Sequence, residues 1–214
     1  VGGSGAHAAG GVHLARHGRT AYNLERRFQG LLPVGLDDTG RAQAHELAER
    51  ASRHRFAALW CSPLRRARET ADIVAARIGL TPAEDERLVE TDSGEWTDRT
   101  FAEVQKSSPR EFARFADSDP TFAFPGGESF AQQGVRVAAA LRDIEAGLLP
   151  ALAVCHGMVI RVALAQRTGQ PLALVERVPN GALVALDQER GRRAEESRST
   201  SAAPSRAMRE RGTT

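Results

Sequence analysis

Arg16-His17-Gly18 stands at the end of the apolar stretch Val12-His13-Leu14-Ala15, Arg66 and His156 each follow a further apolar segment, and Glu90 follows the edge segment Glu84 to Leu88. Two arginines, two histidines and one carboxylate form a set suited to phosphoryl transfer. Arg16 and Arg66 can each offer a planar fork of N–H donors to phosphate oxygens, and His156 adds a third contact. Such a clamp stabilises charge spread over the equatorial oxygens, on which catalysis of this reaction mostly rests. His17 would attack phosphorus in line, and a phosphohistidine would divide the reaction into two easier steps. Glu90 would donate a proton to the leaving alcohol and later accept one from the water that hydrolyses the intermediate.

These side chains converge only if the chain sets them at one end of a sheet. Val12 to Arg16 and Phe56 to Cys61 are short apolar runs with the character of buried strands, as is Ala151 to Cys155 after the breaker Pro150. Ala182 to Leu186 is a fourth candidate, and Glu84 to Leu88 adds an edge segment. Between them lie helical patterns. Pro63 sits at an expected first turn, and Leu64, Ala67, Ala71, Val74 and Ile78 recur near the helical period until Gly79. Others are expected from Asp38 to about His54, from Phe130 to Ala146 and from Gly157 to Thr168. This alternation predicts an α/β fold, a three-layer αβα sandwich around a mainly parallel sheet, whose strand ends share one side. The stretch 95–125 reads as a less regular insertion that shapes substrate access.

Arg16-His17-Gly18-Arg19-Thr20-Ala21-Tyr22-Asn23, Phe28-Gln29-Gly30, Ser62-Pro63-Leu64-Arg65-Arg66-Ala67, Leu88-Val89-Glu90 with Gly94 and Trp96, Pro125-Gly126-Gly127-Glu128-Ser129 and His156-Gly157 follow in this order. Together they resemble the histidine phosphatase superfamily, in its phosphoglycerate-mutase-like branch. The resemblance implies that His17 is the phosphorylated nucleophile, that Arg16, Arg66 and His156 form the phosphate pocket, and that Glu90 is the proton donor. It also implies that Gly18, Asn23, Gln29, Gly30 and Gly157 line the substrate site, with no cofactor and no metal. Asp98, Cys155 and Met158 depart from the residues common at their positions.

Bulk properties bound the remaining choices. The chain has 214 residues, 41% of them hydrophobic, enough for one sizeable core. We expect a flexible segment over 1–11, a catalytic domain over 12–187 and a disordered Arg/Ser-rich tail over 188–214. That tail holds seven Arg and four Glu, leaving 22 basic and 23 acidic residues elsewhere, so the domain is not basic and specific nucleic-acid binding is not expected. No apolar run is long enough to span a bilayer. Two unpaired cysteines fit a reducing, cytoplasmic setting. A small phosphate ester is the expected partner, with a homodimer among the assemblies left open.

Three rivals share parts of this pattern. Cys155 to Arg161 has the Cys, five residues, Arg spacing of cysteine-dependent phosphatases, although Met158-Val159-Ile160 reads as the start of a helix. A phosphoglycerate mutase-type isomerase would share the catalytic set, but 100–125 holds no adjacent arginine pair, only the separated Arg110 and Arg114. A non-catalytic phosphate-binding module would not need both His17 and Glu90. Trp96 and Tyr22 could line a pocket or pack, and Glu128 reads as a cap for the following helix.

Overall fold

The computed structural model describes residues 11–187. The expected flexible start, Gly11 apart, and the expected tail lie outside these residues. Strands β1 (Val12–Arg16), β2 (Ala58–Cys61), β3 (Pro82–Glu84), β4 (Ala151–Cys155) and β5 (Leu183–Ala185) form one sheet in the order β3-β2-β4-β1-β5. All neighbours pair in parallel except β5, which runs antiparallel to β1. The helices are α1 (Ala21–Leu24), α2 (Asp38–Ala51), α3 (Arg65–Ile78), α4 (Phe101–Ser107), α5 (Pro109–Ala116), α6 (Phe130–Glu145) and α7 (Gly157–Thr168).

Central β4 is buried at all five positions, and its side chains alternate between two cores as a strand requires. Leu152 and Val154 join Leu47, Ala48 and Ala51 of α2 and Ala67, Ala71 and Val74 of α3. Ala151, Ala153 and Cys155 face the other way, against Val137, Ala140 and Ile144 of α6 and Val159, Ile160 and Ala163 of α7. Helices thus cover both faces, which is the three-layer arrangement. Each buried Val, Leu or Ile contributes about 1.5–3 kcal/mol, so the two cores hold the layers together.

Local chemistry sets the boundaries. Asp37 caps α2 by accepting from the Gly40 amide (2.7 Å), and left-handed Gly79 ends α3. The helix α2 stops at Ala51, short of His54, and Pro63 precedes the N-cap residue Leu64 of α3 rather than lying inside it. The expected edge strand is displaced: pairing covers Pro82–Glu84, and Glu86–Leu88 is a 3-10 turn because the Asp85 carboxylate accepts from the Arg87 amide (2.8 Å) and bends the chain.

The stretch 95–125 is more regular than expected. Thr100 and Glu103 form a capping box that starts α4, and Pro109 occupies the first turn of α5. These helices carry a third core, in which Trp96 is buried among seven of the eight phenylalanines of the chain.

Candidate active site

Register brings the chemistry together. Arg16 of β1 pairs with Cys155 of β4, and Cys61 of β2 pairs with Val154, so His17, Ser62 and His156 emerge side by side where the three strands end. Close backbone packing fixes the loop after β1. A Cβ on Gly18 would meet the Gly40 carbonyl, and one on Gly40 would meet the Arg19 carbonyl, so both positions require glycine.

His17 is buried, and its Nδ1 lies 2.7 Å from the Gly18 carbonyl oxygen. A carbonyl oxygen only accepts, so Nδ1 carries the proton and Nε2 keeps its lone pair. Burial, then the positive charges of Arg66 and Arg16, hold the His17 imidazole well below its ordinary pKa, which keeps that lone pair unprotonated at neutral pH. Asn180 donates from Nδ2 to the His17 carbonyl (3.1 Å) and to Asn23 Oδ1 (3.2 Å), tying the loop to the turn before β5.

Both arginines have part of their donor set committed to the protein. Arg66 donates to the carbonyls of Leu32 (3.0 Å) and Gly30 (2.9 Å), and Arg16 donates to that of Val178 (2.6 Å). The full forks expected from sequence are therefore partly spent on the backbone. Arg16 Nε, Arg66 Nε and His156 Nδ1 are buried without a partner among the described residues. Burial lowers the Arg66 pKa to about 10, so its guanidinium stays charged at neutral pH. Three unspent nitrogens around a neutral imidazole make a pocket that fits an anion, because buried polar groups are otherwise paired.

His156 is fully buried, with its ring centre 5.1 Å from that of His17 and Nε2 2.8 Å from Ser62 Oγ. Ser62 Oγ accepts from the Leu64 amide (3.3 Å) and can donate its own proton to Nε2, which leaves Nδ1–H free to donate. Burial and the charge of Arg66 also press the His156 pKa well below its ordinary value. His156 precedes α7, and Gly157 and Met158 at the start of that helix line the cavity, where unpaired amides favour an anion.

A cavity of about 200 Å³ opens over His17 and is lined by Arg16, Asn23, Gln29, Gly30, Arg66, Glu90 and Gly157, among others. Gly18 does not line it; its amide donates to Thr70 Oγ1 (3.1 Å) and its carbonyl orients His17. His156, fully buried, is not among the lining residues. Glu90 Oε1 accepts from the Thr91 amide (3.0 Å). Arg136 fixes the chain that presents Glu90: its guanidinium donates to the carbonyls of Arg87 and Val89 (both 2.7 Å) and Glu90 (3.2 Å), and pairs bidentately with Glu128 (2.6 and 2.7 Å).

Several expectations change. Glu128 is not the cap of α6; Ser129 is, with Gln132 completing a capping box. Trp96 packs in the aromatic core, and the Tyr22 hydroxyl donates to Asp98 (2.6 Å). Asp98 itself has φ 67°, in the left-handed region that favours glycine. Cys155 is fully buried, and burial pushes its thiol far above the ordinary range. Arg161 is held by other partners, donating to Val175 O (3.1 Å), Ser118 Oγ (3.0 Å) and Leu172 O (2.8 Å), so Cys155 and Arg161 form no phosphate loop. Among the described residues, no group of three His, Cys, Asp or Glu side chains is placed to hold a metal ion, and no helix is long and apolar enough to cross a membrane.

Residues 12–200 match the histidine phosphatase superfamily (branch 1). The chain belongs to that superfamily. It is 36% identical over 175 residues to phosphoglycerate mutase-like protein 4 of Arabidopsis thaliana, covering 79% of this chain and 75% of that one. It is 34% identical over 131 residues to phosphoserine phosphatase 1 of Hydrogenobacter thermophilus, covering 61% of this chain and 62% of that protein, under two thirds of its length. Among solved structures, a mycobacterial glucosyl-3-phosphoglycerate phosphatase superposes with TM-score 0.72 at 31% identity, over 80% of this chain and 87% of its own. YhfR of Bacillus stearothermophilus superposes with TM-score 0.74 at 31% identity, over 80% and 88%.

In this member of the superfamily, three supporting residues have no role that the sequence alone assigns: Ser62, Arg136 and Asn180. Ser62 lies inside a motif but gains its meaning from a contact with His156, 94 positions away. Arg136 carries one signal that sequence offers, since it falls eight residues after Glu128 on the helix that Ser129 opens.

Proposed function

We propose that the protein hydrolyses a small phosphomonoester through a phosphohistidine on His17. The observation that carries this reading is the Nδ1 bond of His17 to Gly18, which frees Nε2 beside the unspent nitrogens of Arg16, Arg66 and His156. Nε2 attacks phosphorus, the ester P–O bond breaks, and the departing alkoxide takes a proton from Glu90. Water then gives its proton to Glu90 as its oxygen attacks phosphorus, the P–N bond breaks, and phosphate leaves. Arg16, Arg66 and His156 hold the equatorial oxygens through both steps.

The cavity volume of 200 Å³ favours a small ester, being below the roughly 300–1,000 Å³ of sites for drug-sized ligands. Hydrolysis is favoured over isomerisation. Arg110 and Arg114 do not line the cavity, and Arg114 is paired with Asp119 (2.7 Å). The two cysteines are free and buried, which suits a cytoplasmic protein. Release of inorganic phosphate from a panel of monoesters, by the wild-type chain and not by His17→Ala, tests this reading. Transfer of phosphate between the hydroxyls of a phosphoglycerate, without release to water, would overturn it.

A further inference from the structure

Five arginines and one carboxylate line the cavity. Arg16 and Arg66 serve the phosphate, and Arg27 is neutralised by Glu25 and Asp98. Two cations remain. Arg161 is spent on carbonyls and Ser118 and, among the described residues, has no acidic partner. Arg177 is exposed and, among the described residues, has neither an ion pair nor a side-chain hydrogen bond, yet it reaches the cavity. Burial is the main cause that lowers the pKa of Arg16 and of Arg161, and the charge of Arg177 adds to it at both, so that charge is felt in the site. Uncompensated positive charge beside a phosphate pocket raises the local concentration of anions beyond what the phosphate needs. Beside the polar side chains of Asn23, Gln29, Thr91 and Ser93, the cavity presents Phe28, Phe101, Phe115, Phe124 and Met158, an apolar surface larger than the phosphate itself can use.

We propose that the leaving alcohol is amphipathic, with an apolar or aromatic body against the phenylalanines and a second anionic group, such as a carboxylate, taken by Arg177. This rests on the phosphatase reading and narrows it to a substrate class. Arg161 adds a fixed positive background, while Arg177, with its guanidinium donors uncommitted, makes the contact. Specificity then comes from two unlike features in one small ester, and an alcohol with only one of them is a poorer substrate.

The test compares kcat/KM for para-carboxybenzyl phosphate, benzyl phosphate and glycerol phosphate, whose leaving groups are all alkyl alcohols. The wild-type chain is expected to prefer the carboxylated ester over benzyl phosphate, and benzyl phosphate over glycerol phosphate. Arg177→Gln is expected to cut the carboxylated-to-plain ratio about tenfold, as loss of a charge-assisted contact does, and Arg177→Glu to invert it. An unchanged ratio in both variants would overturn the anion contact, and equal turnover of glycerol and benzyl esters would overturn the apolar one. Calorimetry with benzylphosphonate and para-carboxybenzylphosphonate, which cannot be hydrolysed, reads the same preferences as binding. If no ester is turned over but the carboxylated phosphonate binds tighter in an Arg177-dependent way, the phosphatase reading fails and this one stands. Equal binding of the two phosphonates overturns this one.

Discussion

Acidification from pH 7 to about pH 5 destabilises the protein with a slope set largely by two imidazoles in the site. His17 and His156 are buried against Arg16 and Arg66, which holds both well below their ordinary pKa of 6.5 in the fold. In the unfolded chain they protonate at that ordinary value. Below pH 6.5 the unfolded state therefore binds more protons, and stability falls as pH falls. Each imidazole that stays neutral in the fold contributes at most about 1.4 kcal/mol per pH unit, so the pair contributes up to about 2.7. His13 is lowered in the same direction by burial and by His54, but it lies outside the site and is common to every variant. Asp85, lowered chiefly by Arg87, and Asp119, lowered by Arg114, lose their stabilisation only as pH falls through the carboxylate range, below this window. Urea unfolding across the window gives the slope directly. His17→Asn and His156→Asn should each reduce it, by up to about 1.4 kcal/mol per pH unit, and the double variant should remove both contributions. A double variant with the wild-type slope would refute the claim that these histidines are held neutral.

Glu90→Gln should slow hydrolysis of alkyl esters by about 10²–10⁴-fold and of activated aryl esters far less, because only a poor leaving group needs the proton; steady-state rates on the two ester types check this. Arg136→Met should lower kcat more than it raises KM, since Arg136 holds the backbone of Glu90 rather than the phosphate. It should also cost about 3 kcal/mol in urea unfolding, because Glu128, 16% exposed, is left without its partner. Gly40→Ala should cost at least about 1–3 kcal/mol by the same assay, as its Cβ meets backbone atoms of Arg19 that cannot move aside.

Strands β1 and β4 are legible to the residue because each is an apolar run bounded by a breaker or a change to polar residues. The helix α7 is equally legible, bracketed by the strand end and by Gly169, which is left-handed. The segment 95–125 is not, since its helices are short and its apolar residues face one another in a local aromatic core rather than the sheet. Its capping box, Thr100 to Glu103, was the available signal. Within the site, residue types and order point to His17, Arg66, Glu90 and His156. What they cannot give is how much of each guanidinium is spent on the backbone, which depends on carbonyls of Gly30, Leu32 and Val178 brought near by loops. The cysteine rival fails for a reason invisible in spacing, because Cys155 is the last residue of a fully buried strand.

Rapid quenching of the protein during turnover of a phosphomonoester, followed by mapping of the phosphorylated peptide, tests the central claim most directly. We predict one phosphoryl group on His17, lost on acid treatment and absent from His17→Ala. An acid-stable phosphoryl group on Cys155, or full turnover by His17→Ala, would contradict it.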